Sequence, residues 1–125
     1  MQMIFLVALG GAAGSVARLL FSRAAAHVLG DTLPWGTLGV NVLGGFLMGV
    51  LVEAMALKYS ASPEIRALLT TGLLGGFTTF SAFSLEAALM IERGEWVVAG
   101  AYMAASVVLS VGALFLGLYI LRAAI

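Results

Sequence analysis

Apolar residues fill this chain in four long blocks, and its polar residues gather mostly between them. The blocks cover residues 3–26, 35–57, 65–91 and 96–121. Each reaches the length of about 20 mostly apolar residues that takes an α-helix across a bilayer. The pattern therefore predicts four membrane-spanning helices. The connections between them are short and polar. His27, Gly30, Asp31 and Pro34 lie in the first, Lys58, Ser60, Ser62, Pro63 and Glu64 in the second, and Glu92, Arg93, Gly94 and Glu95 make a tight turn. What remains leaves no room for a linker or second domain, so one four-span domain over residues 1–125 is expected.

The third block breaks the pattern. Its centre reads Gly75-Gly76-Phe77-Thr78-Thr79-Phe80-Ser81-Ala82-Phe83-Ser84. A glycine pair weakens a helix, and hydroxyls at membrane depth need hydrogen-bond partners. An interrupted helix is tolerated in a bilayer where it is buried in protein or lines a water-filled cavity. This stretch therefore predicts a path or binding site within the membrane.

Composition narrows the class. The chain has 125 residues, 62% of them hydrophobic and 10% charged, too few polar groups to cover a small soluble protein. There is no cysteine, which excludes disulfides, thiol nucleophiles and cysteine metal sites. A net charge near zero argues against nucleic acid as partner. The N-terminus carries no charged segment before its apolar run, so it reads as a span and not as a cleaved signal. The one histidine, His27, has no partner group near it in the sequence, which makes an enzyme the least favoured class.

With four spans, both termini lie on one side of the membrane. That side holds Lys58, Arg66 and Arg122, and the other holds Arg18, Arg23 and Arg93. The positive-inside rule gives this chain almost no preferred orientation. Either one or two arginines fix the topology, or the chain inserts both ways up and two copies pair antiparallel about a two-fold axis in the membrane plane. Four helices enclose little volume, so an oligomer is expected. Small-xxx-small spacings, Gly10 with Gly14, Gly45 with Gly49 and Gly72 with Gly76, favour close helix contacts.

Helical spacing sorts the remaining polar groups. In the second span Thr37, Asn41, Gly45 and Gly49 recur every four residues. Asn41 serves either as glue between helices, worth roughly 0.6–2 kcal/mol, or as a donor to a permeating ion. In the fourth span Tyr102, Ser106 and Ser110 form a stripe of hydroxyls over about 12 Å at 1.5 Å per residue. Such a stripe is either back-bonded within its own helix or a polar track. Phe80 and Phe83, three apart and flanked by Thr79, Ser81 and Ser84, are either core or a lining whose positive ring edges favour an anion. The amide, hydroxyls and ring edges share neutral donor character. No Lys or Arg stands in the middle of the second, third or fourth span. Throughput needs binding that is favourable but weak and multi-site, so a neutral track suits a small, strongly hydrated anion.

With these residues in view, the chain resembles the Fluc (CrcB) family of small bacterial fluoride channels. The resemblance rests on length, four spans, the second-span Asn41, the run Gly75-Gly76-Phe77-Thr78-Thr79-Phe80-Ser81-Ala82-Phe83-Ser84 and the paired fourth-span serines. It implies an all-α membrane protein with the third of four helices broken. It also implies an antiparallel, dual-topology homodimer in the bacterial inner membrane. The implied activity is passive fluoride export through two pores per dimer, giving fluoride resistance. The implied pathway is Asn41, Phe80, Phe83, Tyr102, Ser106 and Ser110, with Thr37 at its end and Thr79 and Ser81 beside the phenylalanines. Arg18 matches a vestibule arginine, and Glu86 an acidic residue after the third-span motif. A structural sodium ion at the dimer centre is implied, held by the backbone carbonyls of Gly75 and Thr78; Phe77 carries no implied role. A four-span multidrug-type carrier is the alternative, but such carriers use an acidic residue in the first span, and this one has none. Glu53 and Glu86 stand towards the ends of their spans, where an interfacial role suffices. A purely structural subunit would leave the hydroxyl rows unexplained.

Overall fold

The chain folds into four rods of helix, described over residues 1–58 and 60–124 in a computed structural model. Helix α1 is Gln2–Leu29 and α2 is Trp35–Leu57. The third rod is composite. It begins as α3, Pro63–Ala67, continues as a π-helical segment, Leu68–Leu74, and ends its first half as α4, Gly75–Phe77. Residues 78–80 lie outside any helix, and α5 resumes over Ser81–Glu92. Helix α6 is Trp96–Ala124. No strand occurs among the described residues. All four rods are long and apolar enough to cross a membrane.

Local chemistry explains the ends. Gly30 stops α1 in a left-handed conformation (φ 86°), and Gly94 does the same for the turn before α6 (φ 77°), where a side chain would be strained. The α3 start is capped: Ser62 Oγ accepts from Ile65 N at 3.2 Å and Pro63 occupies the first turn, where its missing N–H costs nothing. Within the widened turns the Thr70 hydroxyl donates to the Arg66 carbonyl at 2.7 Å. Downstream, Gly75 N–H reaches Thr70 O, five residues back, as well as Gly72 O.

Close backbone approach holds the rods together. A methyl group added to Gly76 would lie 2.6 Å from Gly11 O, and one on Gly10 2.7 Å from Leu68 O. On the other side, a methyl on Gly45 would lie 2.7 Å from Ser110 O, and one on Gly49 would strike Leu114 O. The small-residue spacings are therefore used inside one chain, α1 against the third rod and α2 against α6. The buried apolar core is small, with Ala87, Met90, Ala99 and Tyr102 as its cluster. Large apolar side chains instead cover the outside, among them Phe5, Leu20, Val97, Phe115 and Tyr119, as suits contact with lipid.

At one end Glu53 is buried and takes a two-pronged contact from Arg122, Nε to Oε1 at 2.9 Å and Nη2 to Oε2 at 3.4 Å. At the other, Arg93 and Glu95 pair at 2.6 Å beside Gly94.

Candidate functional site

Two clefts and a line of contacts between them gather the polar groups that the apolar rods exclude. The first cleft, about 380 Å³, opens at mid-depth between α2, the non-helical residues and α6. Asn41, Thr79, Phe80, Phe83, Ser106 and Ser110 all line it. Apolar Met48, Val107, Val111 and Leu114 complete the wall. Ser106 Oγ and Ser110 Oγ are both buried with no hydrogen-bond partner among the described residues. A buried hydroxyl without a partner is unfavourable, so these two donors are available to whatever enters the cleft.

Asn41 is engaged on both sides of its carboxamide. Its Oδ1 accepts from Thr79 N at 2.8 Å, and its Nδ2 donates to Thr79 O at 3.0 Å. It thus substitutes for a neighbouring peptide where the third rod leaves helical geometry: Thr78 is extended, with φ −85° and ψ 160°. Thr79 Oγ1 accepts from Ala82 N at 3.1 Å, capping α5, and shares a 3.3 Å contact with Ser81 Oγ. Thr78 Oγ1 donates to Leu74 O at 2.9 Å.

The second cleft, about 310 Å³, opens at the end of the bundle where α1 finishes and α2 begins, and Ser22, Asp31, Thr37, Glu86 and Arg93 line it. Glu86 is its centre. Thr37 Oγ1 donates to Glu86 Oε2 at 3.0 Å and Tyr102 OH donates to Oε1 at 3.1 Å. Rings join the two clefts: Phe80 and Phe83 have centroids 5.6 Å apart, and Phe83 and Tyr102 5.3 Å apart. The resulting sequence of contacts is Phe80, Phe83, Tyr102, Glu86, Thr37.

Comparison with known proteins identifies this arrangement's kin. Residues 5–118 match the family model described as CrcB-like protein, Camphor Resistance (CrcB). A Rhizobium etli protein named Fluoride-specific ion channel FluC is 56% identical over 119 residues, covering 95% of each chain. Proteins of the same name from Chelativorans sp. (57% over 122 residues, 98% of each chain) and Rhodospirillum centenum (53% over 125 residues, 100% of this chain and 99% of the other) are similarly related. The chain belongs to the CrcB family.

In this CrcB chain the expected pathway residues divide between the clefts. Asn41, Thr79, Phe80, Phe83, Ser106 and Ser110 sit at the first; Thr37 sits at the second, and Tyr102 bridges them. Ser81 is exposed beside Thr79, and Phe80 is 78% exposed, its ring standing off the chain's outer face. Arg18 reaches across from α1, with Nη1 donating to Thr78 O at 3.4 Å. Gly75 lies on the exposed side of the third rod. Phe77, given no role, packs edge-on against Phe21 at 6.1 Å.

Three contributors escaped the sequence reading. Gly44 lies against Thr78, so a methyl there would strike Thr78 Cγ2; only its place beside Gly45 hinted at it. Met48 and Val107 contribute apolar wall and carry no signal that separates them from other span residues. Glu86 was singled out without a partner, and the partners come from two other helices.

Proposed function

We propose that this protein is a fluoride-selective channel, not an enzyme, that passes fluoride down its electrochemical gradient across the bacterial inner membrane and so protects the cell from fluoride. The working unit is an antiparallel homodimer of four-span subunits with the third span broken, and it carries two pores. The single observation behind this reading is the mid-depth cleft. There two unpartnered serine hydroxyls, a carboxamide and two phenyl rings converge with no fixed cation in the wall. Neutral donors replace a small anion's water without holding it too tightly for release. The names of the relatives choose fluoride among small anions.

Several features support the dimer. Phe80, Ser81, Ser84 and Gly75 are exposed on the third rod at membrane depth, a surface that a second copy would cover. The topogenic charges are balanced. For sodium at the dimer centre, the donor chemistry fits. The Gly75 and Thr78 carbonyls are hard, neutral oxygens at a helix interruption. Bound there, the ion would neutralise converging carbonyls and tie the subunits together.

The test uses purified protein in liposomes with a fluoride electrode and an imposed potential. Rapid fluoride efflux with chloride excluded is expected, as is its loss in Phe80→Ala or Phe83→Ala dimers. Equal chloride flux, or efflux coupled to protons, would overturn the reading. Orientation is read separately. The chain has no cysteine, so a Ser60→Cys variant gives one label site, expected to react from both faces of intact cells. One-sided labelling would rule out the antiparallel arrangement.

A further inference from the structure

We infer that Asn41 is a positioning residue for the central cation, because its bond to Thr79 releases the Gly75 carbonyl from the helix. The inference rests on the sodium reading above and assigns Asn41 a task apart from any contact with fluoride.

The reasoning is an account of donors. In a continuous helix the Thr79 N–H would bond to Gly75 O, four residues back. Here that N–H goes to Asn41 Oδ1 at 2.8 Å. Thr78 cannot substitute, since its N–H goes to Leu74 O at 3.0 Å and its hydroxyl to the same oxygen at 2.9 Å. Asn41 Nδ2 donates back to Thr79 O at 3.0 Å, which fixes the carboxamide's orientation and keeps Oδ1 aimed at the N–H. Gly75 has no side chain, and the residue is exposed on the third rod. The Thr78 carbonyl is likewise outside any helical ladder, and its partner is the long 3.4 Å contact from Arg18. An unbonded carbonyl at membrane depth is costly unless a ligand meets it. No group of three or more His, Cys, Asp or Glu that could hold a metal occurs among the described residues. A donor set of neutral carbonyls therefore suits a monovalent hard cation, whereas a divalent one draws on carboxylates.

Asn41 keeps a second Nδ2 hydrogen that can still face the cleft, so loss of fluoride flux would not separate the two tasks. Cation dependence of folding does. The full-length protein is purified in detergent, and its melting temperature is followed while sodium replaces N-methylglucamine. Asn41→Asp keeps an oxygen for the Thr79 N–H, whereas Asn41→Ala removes it. The sodium midpoint should rise by about 3- to 12-fold in the second, the scale of one net hydrogen bond, and by less in the first. An Asn41→Ala midpoint equal to wild type would overturn the inference. A wild-type protein indifferent to sodium would instead sink the sodium reading beneath it. If Asn41→Ala does not fold, Asn41→Ser, too short to reach Thr79, takes its place with the same two outcomes.

Discussion

Replacing Ser106 and Ser110 together by alanine gives stability and transport opposite signs. Both Oγ atoms are buried and neither has a partner, and Ser106 is only 6% exposed. If the hydroxyls were ordinary packing, each would carry the penalty of a buried hydroxyl without a hydrogen bond, about 1–3 kcal/mol from protein mutational data. Their removal should therefore leave the melting temperature unchanged or raised. If they also serve a passing anion, each substitution deletes a donor. One such bond is worth about 0.6 kcal/mol by the average for polar contacts between membrane helices and about 1.5 kcal/mol by the upper end for neutral hydrogen bonds. With RT near 0.6 kcal/mol, that range is about 3- to 12-fold per hydroxyl in the stability of the bound anion. The expected result is a well-folded double variant, at least as heat-stable as wild type, whose fluoride efflux from liposomes is several-fold slower. Wild-type efflux from a stabilised double variant would refute the reasoning, because the hydroxyls would then be dry packing and the cleft no route.

Gly76→Ala places a methyl 2.6 Å from Gly11 O and 3.1 Å from Gly11 Cα, all backbone, so about 1–3 kcal/mol of overpacking is expected as a lowered melting temperature. Gly100→Ala, with nothing within 4 Å, should gain up to about 1 kcal/mol of helix propensity; equal effects at both sites would contradict the packing. Tyr102→Phe keeps the ring contact with Phe83 and loses the bond to Glu86 Oε1, so efflux should fall less than in Tyr102→Ala, which loses both. Identical losses would mean the ring contributes nothing. Arg122→Gln leaves the buried Glu53 carboxylate alone and should lower the melting temperature more than Glu53→Gln, which leaves only an exposed guanidinium; the reverse order would argue that the pair is held by something else.

What could be read from the sequence was decided by short-range chemistry. The second span was legible to the residue, 35–57, because Pro34 and Lys58 bound it. The first was read as 3–26 and extends over Gln2–Leu29: His27 ended the apolar count, but the chain does not turn until Gly30. The π-helical segment was not legible, since Leu68-Leu69-Thr70-Thr71-Gly72-Leu73-Leu74 looks like any span. Nor were partners across helices. The second-span row was read as one face, yet Thr37 meets Glu86, Asn41 meets Thr79, and Gly45 and Gly49 meet α6. A four-residue step overshoots a helical turn by about 40°, so a row of four positions winds towards several neighbours. Spacing reveals which groups are polar; only the rotation of each helix against the next decides what they touch.

The loosened turns of Leu68–Leu74 hold more residues per turn than an α-helix, so one deletion within them can be absorbed by a return to α pitch, whereas α4, directly after them, has no such slack. One deletion in α4 would rotate everything downstream by about 100°. Thr79 would swing out from under Asn41, and the phenyl rings would turn to a different quarter of the bundle. Tolerance to changes of chain length should therefore be lowest in a stretch that lines neither cleft, and a deletion scan would set it apart from the turns before it.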